Sequence, residues 1–454
     1  MSTERSLPDI VLIHGHDLGR WLGVYGMTNV PSPNIDRFAE ESVVFDSAHA
    51  AAPLCSPARG ALFTGLSPHR NGVQGLAHDS WRYREGVVTL PERLHALGYH
   101  TALIGLQHED VDPTVLGFDE CPGLGFPPRS YHVAEAAGDW LAGMAPAVDR
   151  DPVFLTLGTW EVHRPWPHDD YDPGDPARVD VPAFLPDNEL TRRDIADFYG
   201  SITAFDTAFR RLLELIEEHL DPANTLVILT TDHGAAFPRA KSTLYDAGTG
   251  VTLVVRPPRR WHVAPRRVTT LASHLDILPT LLDIAGATIP PDLEGVSLLP
   301  VLRGDSDGDP ARVIFTAKSY HDVYDPKRAA RSLEYTYIRN YAPGPRLQLA
   351  IDLEKSLTRQ GMGDEHLGPR PPEELYDRRT DPDELRNVAQ DTAYRSTRDQ
   401  YAALLHEYLT AIRDPIETTP LEPAPPRSRK SEALPAVPPP TWLDDEAAAP
   451  GDDR

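Results

Sequence analysis

The chain has 454 residues, with 44 Lys or Arg against 68 Asp or Glu and a formal charge of −24; the length supports a sizeable core in one or two domains, and the charge argues against nucleic acid or an anionic membrane as partner. Only two cysteines, Cys55 and Cys121, are present, which excludes a disulfide scaffold. No apolar run is long enough to span a bilayer, and residues 1–8 lack the apolar centre of a signal peptide, so a soluble, cytoplasmic protein with no membrane partner is expected.

Residues 9–13 form a short apolar run, expected of a strand buried on both faces, and lead into His14-Gly15-His16-Asp17. Cys55 follows the turn-prone 50–53, and Pro57 suits a first helical position, so Cys55 is placed at or just before a helix N-terminus. Free N–H groups and the helix dipole there lower a thiol pKa and suit an anion. Arg59 returns to the same face one turn later. A buried free cysteine before an ordinary helix would show the same local pattern. Residues 90–97 read as a helix stopped by Gly98, and 99–105 as a strand running into Gln107-His108-Glu109-Asp110. A helix is expected over 133–141, and a strand over 152–157 leads to Glu161, His163 and Arg164. Phe198, Ile202, Phe205, Phe209, Leu212, Leu213 and Ile216 recur at helical spacing within 195–220. The strand at 225–230 ends at Asp232-His233-Gly234; a further strand is expected over 249–256 and a helix over 273–286.

Apolar strands alternating with helices imply a mainly parallel sheet covered on both faces, with ligands beyond the carboxyl ends of its strands. Several of those ends carry His, Asp or Glu, so one shared site is expected there, with Cys55 contributing. Gathering His16, Asp17, Asp232 and His233 at two strand ends is most simply explained by a divalent cation. After the 304–309 loop the pattern changes: strands over 312–316 and 334–341 and a last helix over 392–413 read as a smaller α+β subdomain. The expected division is a catalytic α/β domain at 1–310, a C-terminal subdomain with an antiparallel sheet at 311–415 and a disordered, Pro-rich tail at 416–454.

The order Cys55-Ser56-Pro57-Ala58-Arg59, followed by Thr64-Gly65, resembles the signature of the type I, formylglycine-dependent sulfatases. The tracts 33–45, 273–286, 293–300 and 374–384 resemble further segments of that family, and 232–245 is most similar to its sulfamidase (heparan N-sulfatase) branch. The resemblance spans about 9–415 and implies an alkaline-phosphatase-like fold and hydrolysis of a sulfate ester or sulfamate, possibly on a sulfated carbohydrate. It implies that a formylglycine-generating enzyme oxidises Cys55, and that the aldehyde hydrate attacks sulfur. Metal positions fall on His16, Asp17, Cys55, Asp232 and His233, with calcium expected first and manganese or magnesium as alternatives. His16 stands where most relatives have the first of two aspartates. Arg59, His163 and Lys241 fall on groups holding the sulfuryl oxygens, His163 also being the expected acid for the leaving group, and His108 on the group that completes turnover. The family's Gly-Lys-x-His reads Gly105-Leu106-Gln107-His108 here, so its lysine is replaced by Leu106. His274 is expected to be structural. A phosphonate or phosphate ester hydrolase of the same superfamily and a catalytically weak binding protein are the competing readings.

Overall fold

The computed structural model describes residues 7–122, 128–144 and 150–419. A seven-stranded sheet forms the centre. Its strands are β1 (Asp9–Gly15), β2 (Val43–His49), β3 (His100–Gly105), β4 (Val153–Gly158), β5 (Thr225–Thr231), β6 (Leu253–Arg256) and β7 (Arg266–Ser273), in the order β3-β4-β1-β5-β6-β2-β7. All are parallel except β6, which runs antiparallel to β5 and β2.

The unbroken apolar runs are explained by burial on both sides. Val11 and Ile13 of β1 enter one core with Phe198, Ile202, Phe205, Phe209, Leu212 and Ile216 of the long Glu189–His219 helix. Ile10 and Leu12 point the opposite way, into a second core with Ala58 and Leu62 of the Cys55–Thr64 helix. Leu213, expected on the buried face, is only partly covered at its margin. The long helix starts before its apolar stripe because Asn188 caps it, its side chain accepting from Thr191 N.

Beyond this sheet, β8 (Ile314–Tyr320), β9 (Tyr324–Arg331), β10 (Tyr335–Asn340) and β11 (Glu373–Asp377) form an antiparallel sheet in the order β11-β10-β9-β8. One face sends Ala329, Ile338 and Tyr376 into the first core of the main sheet. The other packs Tyr337 and Leu375 under Tyr401, Leu405 and Leu409 of the Arg395–Ala411 helix.

Four departures from the sequence reading have physical causes. Residues 249–252 are not strand: Asp246–Thr249 is a helical turn, and the Thr252 hydroxyl bonds Gly19 O before β6 begins. The Cys55–Thr64 helix begins at Cys55 itself, and Pro57 is its third residue, where a missing N–H is still harmless. β9 lacks an apolar signature because its buried Asp325, Arg328 and Arg331 are satisfied by ion pairs with Lys318, Asp414 and Glu384. Ile416 is buried with the last helix, so the ordered chain runs past 415; the expected tail at 420–454 lies outside the described residues. No helix among the described residues is long and apolar enough to cross a membrane.

Candidate active site

Register places the first two pairs of site residues. β1 and β5 are parallel neighbours with Gly15 opposite Thr231, so His16-Asp17 and Asp232-His233 leave the sheet side by side. Asp17 turns back at φ 56°, a left-handed conformation that Asp tolerates better than most residues, and its N–H donates to Asp232 Oδ1 at 2.9 Å. The loop after β4 is tied to the same corner: His16 N donates to Glu161 O at 2.9 Å and Val162 N to His16 O at 2.7 Å.

Cys55 enters from the helix on the other face. Its Sγ lies 3.0 Å from His16 Nε2, 3.4 Å from His233 Nε2 and 3.9 Å from Asp17 Oδ1. His16, Asp17, Cys55, Asp232 and His233 are all buried, and their ligand atoms lie within 4.8 Å of one another, a donor set suited to one divalent cation. Each His aims a ring nitrogen inward. His233 is fixed by Nδ1 against Gly234 O at 2.9 Å, the second contact that typically orients a metal-binding imidazole.

Arg59 lies beneath this cluster. Its Nε donates to Asp232 Oδ2 at 3.2 Å, one Nη to His14 Nδ1 at 2.6 Å and the other to Gly15 O at 3.4 Å. Lys241, 2% exposed, bridges Asp17 Oδ2 at 2.6 Å and Asp352 Oδ2 at 2.8 Å, with His163 Nε2 at 3.4 Å. His163 rides on a segment anchored by the next residue: Arg164 makes two 2.7 Å bonds to buried Asp194. His108 stacks on His78 with 3.3 Å between Nε2 and Nδ1. His108 and His163 both lie near enough to Cys55 to influence its ionisation or to be influenced by it.

The electrostatics follow from these contacts. Burial alone would raise the Cys55 thiol, but His16, Lys241, His233 and His108 hold it well below its usual range. Burial likewise opposes ionisation of Asp17, yet Lys241 and the surrounding imidazoles keep it a carboxylate. Lys241 is raised well above its ordinary value: burial works against its charge, and Asp17 and Asp352 outweigh that.

All the expected residues therefore meet in one pocket, and His274 lies outside the ligand cluster, its Nε2 3.3 Å from Thr230 Oγ1. Gln107 does not stand in for the absent lysine. Its oxygen accepts from Glu109 N and Asp110 N, and its Nε2 donates to Asp110 O. Three contributors went unread. His14 could have been found from strand period, since it shares a face with His16. His78 and Asp352 carry no motif; Asp352 arrives on the short Ile351–Glu354 helix of the C-terminal part.

A family model described as Sulfatase matches residues 8–287. The chain belongs to the sulfatase family. A second model, described as N-sulphoglucosamine sulphohydrolase, C-terminal, matches residues 237–355, which include both Lys241 and Asp352. The chain is 29% identical to an ulvan-active sulfatase of Formosa agariphila, covering 86% of this chain and 78% of that protein. It is 26% identical to human N-sulphoglucosamine sulphohydrolase, covering 89% and 90%. The solved structure of a protein bound to its substrate D-glucosamine-2-N,6-O-disulfate shares the fold, with a TM-score of 0.70 at 19% identity over 91% of this chain and 100% of that one. The alkaline-phosphatase-like α/β architecture is thus that of a sulfatase, a hydrolase of sulfuric ester or sulfamate bonds.

Proposed function

We propose that this sulfatase removes a sulfuryl group from the hydroxyl or amino nitrogen of a sulfated carbohydrate, with position 55 as nucleophile after conversion to formylglycine by a maturation enzyme. The observation that carries this reading is the setting of Cys55 at a buried helix start. Four imidazoles surround it, and the Lys241–Asp17 pair stands at one side. The carbohydrate preference is supported by the human sulphohydrolase relative, the C-terminal match and the ulvan-active sulfatase.

Once formed, an aldehyde hydrate at position 55 would supply the attacking oxygen, and a divalent cation, which His16, Asp17, Asp232 and His233 would hold, would supply positive charge beside it. Arg59 acts chiefly through Asp232, which it holds as an ionised ligand. Lys241, whose ammonium Asp17 and Asp352 keep in place, stabilises charge on the sulfuryl oxygens. His163, between Lys241 and Cys55, protonates the departing oxygen or nitrogen. His108, held by His78, accepts the proton when sulfate is expelled.

The test is to co-express the chain with a formylglycine-generating enzyme, analyse the Cys55 peptide by mass spectrometry, and compare N-sulfoglucosamine, p-nitrophenyl sulfate and a phosphonate monoester as substrates. Converted Cys55 and the highest kcat/KM on a sulfated substrate are expected. An intact, alkylatable Cys55 would overturn the mechanism, faster phosphonate cleavage would replace the substrate class, and converted protein inert on all three would leave a binding protein.

A further inference from the structure

The donor atoms around Cys55 carry information about which cation they hold. Two are imidazole nitrogens, His16 Nε2 and His233 Nε2. Two are carboxylate oxygens, Asp17 Oδ1 and Asp232 Oδ2, the latter already shared with Arg59 Nε at 3.2 Å. Asp17 Oδ2 is taken by Lys241 at 2.6 Å. Asp232 Oδ1 accepts from Asp17 N and His233 N, both at 2.9 Å. Neither aspartate can turn bidentate without breaking a buried hydrogen bond.

We infer that this pocket selects a first-row transition dication, such as manganese or zinc, over calcium. Calcium takes about six to eight oxygen ligands and reaches that number largely through bidentate carboxylates and carbonyls. Here the protein offers two carboxylate oxygens, two nitrogens and one atom from residue 55. Imidazole nitrogen favours borderline ions of the transition series.

The spacing agrees. Ligands about 2.0–2.2 Å from a shared ion, at angles between square and tetrahedral, stand roughly 2.8–3.6 Å apart. The separations are 3.0 Å for His233 Nε2 to Asp17 Oδ1, 3.4 Å for His16 Nε2 to Asp232 Oδ2, 3.6 Å for His16 Nε2 to Asp17 Oδ1 and, just beyond that range, 3.7 Å for His233 Nε2 to Asp232 Oδ2. His16 is the decisive residue. Its ring is 1% exposed and packed at 4.4 Å from the His163 ring, and its Nδ1 has no hydrogen-bond partner among the described residues. Such an imidazole, buried with its other nitrogen aimed at two carboxylates, is a ligand built into the pocket rather than a solvated loop residue.

The inference concerns the same pocket as the proposed hydrolase, but its test needs no substrate, so failure of one reading does not decide the other. Full-length Cys55→Ala protein, which removes any thiolate preference for soft ions, is stripped of metal and dialysed against equimolar calcium and manganese. Bound ions are then counted by mass spectrometry, and cobalt(II) is titrated as a visible-spectrum probe. Manganese is expected over calcium by about 100-fold, with a cobalt spectrum showing nitrogen ligation. His16→Asp is expected to move the ratio toward calcium by at least about 10-fold and to weaken the cobalt band. If a melt shows His16→Asp unfolded, His233→Asn must move the ratio the same way. Equal or greater calcium binding in the parent protein, or a ratio unmoved by the folded variant, would overturn the inference.

Discussion

At the end of β5 the chain delivers Asp232 and His233 and then, after a buried loop, Lys241, whose charge is held by Asp17 and by Asp352 from the C-terminal part. At the end of β3 it delivers His108 alone. Gly105 turns the chain at φ 88°, where a Cβ would stand 2.2 Å from Gly158 O, and the loop then satisfies itself through Gln107 and Glu109. Both ends face the same cysteine, yet one carries a lysine cross-braced by two parts of the chain, and the other is closed by its own loop. The side chain lost at Leu106 is thus not replaced at its own corner. Positive charge near Cys55 comes from Lys241, and the pocket depends on the junction between the two sheets to hold it.

That comparison can be broken in order of expected effect. Lys241→Ala should lower kcat/KM by about 1,000-fold, the usual scale for a buried donor to developing charge, measured with the best sulfated substrate; a loss below 10-fold would move the essential charge elsewhere. Asp352→Asn should cost about 10-fold, because Lys241 keeps Asp17 but loses its second anchor. The same variant has a pH signature. Burial raises Asp352, but Lys241 and His163 outweigh it and set its pKa to about 2. Below the unfolded value of about 3.9, the folded state therefore binds fewer protons than the unfolded one. The ion pair's stabilisation should be full above about pH 4 and fade as pH falls toward 2, so urea melts of parent and variant should converge in that window.

At the other corner the effects should be smaller. His78→Phe keeps a ring stacked on His108 but removes the 3.3 Å hydrogen bond, and a loss of about 3- to 10-fold in kcat is expected. Leu106→Lys should change kcat/KM by less than about 3-fold and stability by little, since the residue is only partly buried. A 10-fold gain would show that the β3 corner is incomplete rather than relieved of its task.

Much of the site was legible because it sits next to strand ends. His16-Asp17, His108, His163 and Asp232-His233 each follow an apolar run whose period marks it as buried, and a parallel sheet collects such ends on one edge. Cys55 and Arg59 were legible from helix geometry and motif order. β7 and β9 were not, because β7 mixes Arg and Thr with apolar residues, and β9 buries charges that only distant partners satisfy.

The sequence by itself determined the parallel core, the gathering of ligand-type residues at its carboxyl edge and the cysteine at a helix start, all consequences of local period and chain direction. Only the tertiary structure decided which carboxylate oxygens are turned toward the cluster, that Gln107 turns away from the pocket, and that Asp352 reaches across to Lys241. The first and last of these depend on hydrogen bonds between residues more than 100 positions apart, which no local pattern encodes.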